Sequence, residues 1–212
     1  MSVGEALRSA AADFYRQSWR LFCLNAALSA IVVPIAVGGL WAPALWALLV
    51  LAGPLAAALL HCAVVVTRTE ELQLREAVVG LKLHWRRGLA LGVVVAGGTA
   101  LGVHAISFYG GRGTLVLAVL GVYLLLAFVA FQLVLWPLAV FETGVPARRV
   151  LGDAGRALLA RPLQALALTL VLALVNVAGL AAAVLPFLTL TIAYSALAVA
   201  RFALPPTLEA RD

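Results

Sequence analysis

The sequence predicts an all-α, polytopic membrane protein, a six-helix transmembrane bundle with cytoplasmic interfacial helices, and three observations carry that class. Of 212 residues 65% are apolar and 11% charged, against about a quarter charged in soluble domains, so a globular core cannot account for the chain. Apolar runs long enough to cross a bilayer, at roughly 20 residues each, alternate with short connections and leave no length for a separate soluble domain, so 1–212 reads as one membrane domain. The fifteen Lys and Arg residues, which leave a net charge of +6, sit beside the apolar runs and form no solvated patch. That placement points to anionic lipid headgroups and away from nucleic acid.

Residues 1–21 form the first element. Leu7, Ala10, Ala11, Phe14, Ser18 and Leu21 share one face and Glu5, Arg16 and Arg20 the other, which predicts an interfacial helix. Glu5 and Asp13 interrupt these residues, so a cleaved signal peptide is not expected. The first span runs from about 22 to 38 and turns at Gly38-Gly39. The second, about 44–66, carries Pro54 in mid-membrane; proline removes a backbone donor, and a kink is expected at Gly53-Pro54.

Residues 70–88, EELQLREAVVGLKLHWRRG, organise the chain. On a helical wheel Leu74, Val78, Leu81 and Trp85 make an apolar stripe, with Arg75, Lys82 and Arg86 as a basic stripe beside it. Gln73, Glu76, His84 and Arg87 fall on the polar side. This reads as a helix lying in the interface, with Arg75, Lys82 and Arg86 toward anionic lipid headgroups.

The third span, 88–108, holds Gly88, Gly92, Gly98 and Gly102 at the four-residue spacing that lets helix backbones approach closely, and is expected to be the packing spine. The fourth, 114–141, is too long to stand upright and should tilt or break near Trp136-Pro137. A second basic loop follows at 142–161, in which Ala147, Leu151, Ala154 and Leu158 share a face. A shift of 74 residues aligns Arg75, Lys82 and Arg87 with Arg149, Arg156 and Arg161, which suggests a weak parallel repeat of span, interfacial helix and span. The fifth span is placed at 163–185 and the sixth at 187–204, begun by Pro186 and stopped by Pro205-Pro206.

Counting Lys and Arg by side assigns fourteen to the cytoplasm and leaves only Arg112 outside. Such a bias sets both termini in the cytoplasm. Trp41, Trp46 and Tyr109 then mark the outer edge and Trp19, Trp85 and Trp136 the inner one. Arginine dominates over lysine and alanine, leucine and valine prevail, as in GC-rich bacterial genomes, so the expected location is a bacterial plasma membrane. Cys23 and Cys62 lie near the reducing side and are expected to be free thiols.

Intramembrane polar groups are the functional candidates: Asn25, His61, His104, Gln132 and Asn176, with Thr99, Thr169, Thr191, Tyr123 and Tyr194 behind them. They read either as a polar path through the bundle or as ordinary interhelical hydrogen bonds, worth about 0.6 to 2 kcal/mol each. His61 and Cys62 point about 100° apart on a helix and cannot easily share an ion, so no metal is expected. Glu142 is expected to pair with Arg148 or Arg149. No nucleophile elbow, zinc-binding helix motif or Walker loop occurs, so neither enzyme activity nor a cofactor is expected.

Several strings together resemble the YesL-like family of bacterial membrane proteins: FYRQSWRLFCLN (14–25), AGPLAAAL (52–59), GLKLHWRRGLALG (80–92) and WPLAVFE (136–142). The resemblance spans about 14–204. It implies a polytopic helical protein associated with carbohydrate uptake, an accessory or assembly factor whose partner is a transporter subunit. It carries over no catalytic residues. The alternative reading is a transporter or lipid-handling protein in its own right, which needs a continuous polar cavity lined by Asn25, His61, Gln132 or Asn176. The oligomeric state is not legible in these residues.

The charge count makes a topological prediction. Cysteines substituted in 70–88 and 142–161 should resist membrane-impermeant thiol reagents in intact cells, and a cysteine at Arg112 should react; the reverse pattern would invert the orientation.

Overall fold

The computed structural model describes residues 2–42, 47–48, 50–69, 71–181 and 190–204. Among these the regular elements are eight α-helices: α1 (Val3–Arg16), α2 (Ser18–Trp41), α3 (Ala52–Thr69), α4 (Arg75–Gly111), α5 (Leu115–Phe141), α6 (Ala147–Ala160), α7 (Pro162–Ala181) and α8 (Ile192–Ala203). Five of them, α2, α3, α4, α5 and α7, are long and apolar enough to cross a membrane, which is the build of an integral membrane protein. The expected sixth span begins outside the described residues; α8 holds 12 residues, about 18 Å, short of a hydrocarbon core. Pro186, Pro205, Pro206 and Trp46 also lie outside them.

Helix α1 starts with a capping box. The Ser2 Oγ accepts from the Glu5 amide at 3.3 Å, and the Ser2 amide donates to the Glu5 carboxylate at 2.7 Å, so two orphan donors of the first turn are met. Those bonds from Ser2 hold the Glu5 carboxyl below its ordinary range. The helix breaks at Gln17 (φ −111°, ψ 19°), so the first span begins at Ser18, earlier than the expected 22, and runs to Trp41 with Pro34 inside it.

The apolar face of α1 is used differently from the interfacial expectation. Ala6 and Ala10 are fully buried, and α1 packs along α8. The Tyr194 hydroxyl donates to the Leu7 carbonyl at 3.2 Å, and Arg201 reaches the Asp13 carboxylate with Nε at 2.8 Å and Nη2 at 2.7 Å. Asp13, 6% exposed, is thus the anchor of a terminal helix on the last one. Two small residues facing α8 and one enclosed ion pair make protein, and not acyl chains, the partner of that face.

Two proline expectations need revision, and a third proline supplies the break. Pro54 stands in the first turn of α3, which begins at Ala52, where its missing N–H costs nothing and no kink follows. Helix α5 neither breaks nor ends at Pro137 and continues to Phe141; the chain turns instead through 142–146, where Gly144 takes a positive φ of 87°. The proline that does break a helix is Pro162. The residue before a proline is driven out of the α region, and Arg161 accordingly sits at φ −144°, ψ 56° between α6 and α7.

The largest revision concerns α4. The expected interfacial helix and third span are one unbroken helix of 37 residues, about 55 Å long. No breaker separates them, since Gly88 is buried in a helix contact and keeps its helical backbone. In the second half of the suggested repeat the matching position is Arg161-Pro162, and there the helix parts. At the centre stands α3, which packs against α2, α4, α5 and α8.

The Asp13–Arg201 pair yields a test. Asp13→Asn should destabilise the protein by about 2 kcal/mol, below the 3–5 of a fully enclosed pair because Arg201 is partly exposed, and Asp13→Asn with Arg201→Met should recover much of it. Unfolding in detergent measures both; an unchanged single variant would remove the pair from the set of anchors.

Candidate functional site at the junction of α3, α4 and α5

The first half of α4 turns its polar side inward. Glu76, Gly80, His84, Gly88 and Gly92 follow at intervals of four and make one seam, and the seam faces α3. The apolar residues Leu74, Val78 and Trp85 are about half exposed, and Arg75, Lys82 and Arg86 are exposed on the outer flank. The wheel separates these faces correctly, but the side it assigns to water is the side that meets protein.

At the upper end of the seam lies a helix crossing made of main chain. A methyl group added to Gly88 would stand 2.7 Å from the Pro54 Cα and 2.9 Å from the Gly53 carbonyl oxygen, and one on Gly92 would stand 2.7 Å from the Val50 carbonyl oxygen. Gly53 offers the reciprocal contact with Gly88. Further along α4 the glycines change partner: Gly98 seats the Phe128 ring and Gly102 the Leu125 side chain, both of α5. The four glycines therefore serve two crossings.

Below the crossing, polar groups meet between α3 and α4. Gly80 leaves room for the His61 ring, whose Cβ would lie 2.8 Å from an added methyl. His61 Nδ1 stands 3.3 Å from His84 Nε2, and His61 Nε2 lies 3.7 Å from a Glu76 carboxylate oxygen. His84 is 1% exposed. One imidazole donates and the other accepts, the direction set by the tautomers. The Arg75 Nε lies 3.7 Å from the other Glu76 oxygen. The result is a chain of polar groups running inward from a half-buried carboxylate to an enclosed imidazole. Among the described residues no set of three His, Cys, Asp or Glu side chains is placed to hold a metal; Cys62 is buried and Cys23 half-buried, both as free thiols.

Arg87, immediately before the crossing, reaches the other way. Its Nη1 donates to the carbonyls of Ala139 (3.0 Å) and Glu142 (2.8 Å), and its Nη2 to that of Val145 (2.6 Å). It closes the C-terminal end of α5, where carbonyls lack helical donors. Arg68 of α3 lies over the Phe141 ring at 4.3 Å, so two cations hold this end of α5. Glu142 enters through its main chain and makes no ion pair with Arg148 or Arg149 among the described residues; its Oε2 is buried without a hydrogen bond.

The four candidates for a polar path go to separate places. Asn25 is fully buried in α2. His61 joins His84. Asn176 donates to the Leu172 carbonyl at 2.7 Å and to Ser195 Oγ at 2.9 Å, tying α7 to α8. Gln132 is 6% exposed and both its amide atoms are without a hydrogen bond. It lies on the wall shared by two clefts. One, of about 280 Å³, is lined among others by Leu59, Leu60, Trp136 and Ile192; the other, of about 320 Å³, by Leu91, Phe131, Leu135 and Val150.

Sequence reasoning overlooked Asp13–Arg201, the His61–His84 contact and the Arg87 clamp. The four-residue spacing of Glu76, Gly80, His84, Gly88 and Gly92 was a readable signal for the second. Comparison with family models, with curated proteins and with solved structures returns no match. The fold and the site define the chain, helical among the described residues, as an integral membrane protein with a polar seam along α4.

The crossing distinguishes glycines. Gly88→Ala should lower stability by 1–3 kcal/mol through overpacking against main chain, whereas Gly97→Ala, with open space around it, should stabilise by up to about 1 kcal/mol through helix propensity. Thermal unfolding of both in detergent decides; equal effects would remove the crossing as the reason for glycine.

Proposed function

We propose that the chain is an accessory or assembly subunit of a membrane transport complex, held in a bacterial plasma membrane with both termini in the cytoplasm. The observation that carries this reading is the character of the clefts: both are walled almost wholly by apolar side chains, and Gln132 alone of Asn25, His61, Gln132 and Asn176 reaches either. A carrier in its own right requires a continuous polar route to mid-membrane, and these four residues do not line one. The resemblance to the YesL-like family supports a role beside a carbohydrate permease. The seam, the glycine crossings and the Arg87 clamp suit such a role, since they hold α3, α4 and α5 in fixed register and leave broad apolar surfaces, such as Val116, Leu120 and Leu124, for other helices. No enzyme activity belongs to this reading.

The test is the abundance of transport subunits. In cells that lack the chain, the membrane-embedded subunits of at least one sugar permease should fall severalfold in quantitative membrane proteomics at unchanged transcript levels, and should recover on re-expression. Unaltered abundance of all transport subunits, together with solute uptake by the purified chain in vesicles, would replace this reading with that of a transporter.

A further inference from the structure

The polar chain from Glu76 through His61 to His84 ends in a closed place. Glu76 and His61 have 24% and 17% of their side chains exposed, whereas His84 is buried. Beyond His84 the seam continues through Gly88 and Gly92, which are packed on main chain and carry no polar side chain. A proton that enters at Glu76 can therefore reach His84 and go no further, so the chain takes up a proton and conducts none. Few other charges face it. The charges that act on His84 are those of His61 and Arg87, and Arg87 is committed to three carbonyls. Arg75 lies beside Glu76, Lys82 is exposed, and the Cys62 thiol senses Glu76. The other helices packed on α3 are α2, α5 and α8. Helix α2 brings Cys23 and Arg20, the latter bonded to Gln17; α5 brings Tyr123 alone; α8 brings Arg201, paired with Asp13, and Tyr194, bonded to Leu7.

Two rings whose nitrogens stand 3.3 Å apart need one donor and one acceptor between them, and neutral imidazoles supply both. One added proton, on His61, is also accommodated: its two N–H groups then face the Glu76 carboxylate and His84 Nε2. A second is not. An imidazolium has no acceptor, so two N–H groups and two like charges would meet at the same contact. The His61 ring is wedged against α4, with Cβ, Cγ and Cδ2 only 2.8–2.9 Å from where a methyl on Gly80 would stand, so its repulsion from His84 is passed to α3. The main-chain contact of Gly53 with Gly88 lies about 12 Å along each helix and supplies the pivot. We infer that the His61–His84 pair is an acid-sensitive joint between α3 and α4, closed with at most one proton on the two rings and opened about the Gly53–Gly88 crossing when both carry one. The open form binds one proton more than the closed form, so opening is favoured as pH falls. The hold is present above the ordinary histidine value of about 6.5 and is lost below it, by about tenfold in the opening equilibrium per pH unit. The joint stands whether or not the chain assists a transporter.

The buried thiol of Cys62, next in sequence to His61, reports the joint in place. In a purified Cys23→Ser chain in detergent, labelling of Cys62 by dithiodipyridine, which reacts in acid, is measured relative to a free thiol at the same pH. From pH 7.5 to pH 5 the relative rate should rise about thirtyfold, the linkage of one proton over the range below 6.5. His84→Gln, whose amide can bond His61 and takes no proton, should label slowly throughout. Glu76→Gln, which removes the carboxylate that receives the first proton, should match the parent chain at pH 7.5 and label faster than it at pH 5. His104→Gln, outside the seam, should follow the parent chain at every pH. Should His84→Gln label fast at neutral pH, its seam is not formed and Glu76→Gln decides. A level rate in the parent chain, a His84→Gln rate that still climbs with acid, a His104→Gln rate that does not, or equal rates for Glu76→Gln and the parent chain at pH 5 would each overturn the joint.

Discussion

The guanidinium of Arg87 is the contact on which the rest of this arrangement depends. A helix that ends near the edge of a membrane leaves carbonyls whose alternative to a protein donor is a poorly hydrated interface, and α5 ends with three of its carbonyls, or those just past it, on one side chain. Arg suits the task because its planar fork presents several donors at fixed angles. By tying α4 to the end of α5, it sets how far the two helices slide along one another. The seating of Phe128 on Gly98 and Leu125 on Gly102 requires that same register.

The inner face of α4 then follows one rule along its length. Between helices in lipid there is no hydrophobic drive of the kind that folds soluble proteins, so contact comes from close packing and interhelical hydrogen bonds. Glycine supplies the first at the crossing with Gly53 and Pro54, and His61 with His84 supplies the second, with Gly80 making space for the imidazole. The side chains left outside are apolar ones that lipid accepts and, on one flank, the basic stripe Arg75, Lys82 and Arg86. The clefts beside α5 are consistent with this division: polar groups tie helices together and apolar groups line the openings.

Much of this was legible in the residues, and the parts that were not share a cause. The apolar runs, the two amphipathic segments and the small-residue spacing of α4 can all be read from periodicity, because each depends on side chains of one helix. What escaped depends on a neighbour. A wheel places His84 and Arg87 on a polar face, but only the position of α3 and α5 decides whether that face meets water or protein. Asp13 reads as a surface charge until α8 brings Arg201 to it. Proline has the same ambiguity: Pro54 and Pro137 look like breaks, yet one falls in a first turn and the other is carried within its helix, while Pro162 does part α6 from α7 through the residue before it.

That last difference has a mechanical consequence. Two amphipathic segments of similar pattern lead into two spans, but one is continuous with its span and the other is jointed to it. A displacement imposed near Arg75 travels along a single rod to Gly111, so a partner that grips the basic end of α4 also moves the far end of the α4–α5 hairpin. Helix α6 meets α7 through the non-helical backbone of Arg161, with no continuous rod between them. One amphipathic segment is thus a rigid extension of its span, and the other is a separate element joined to its span at Arg161-Pro162.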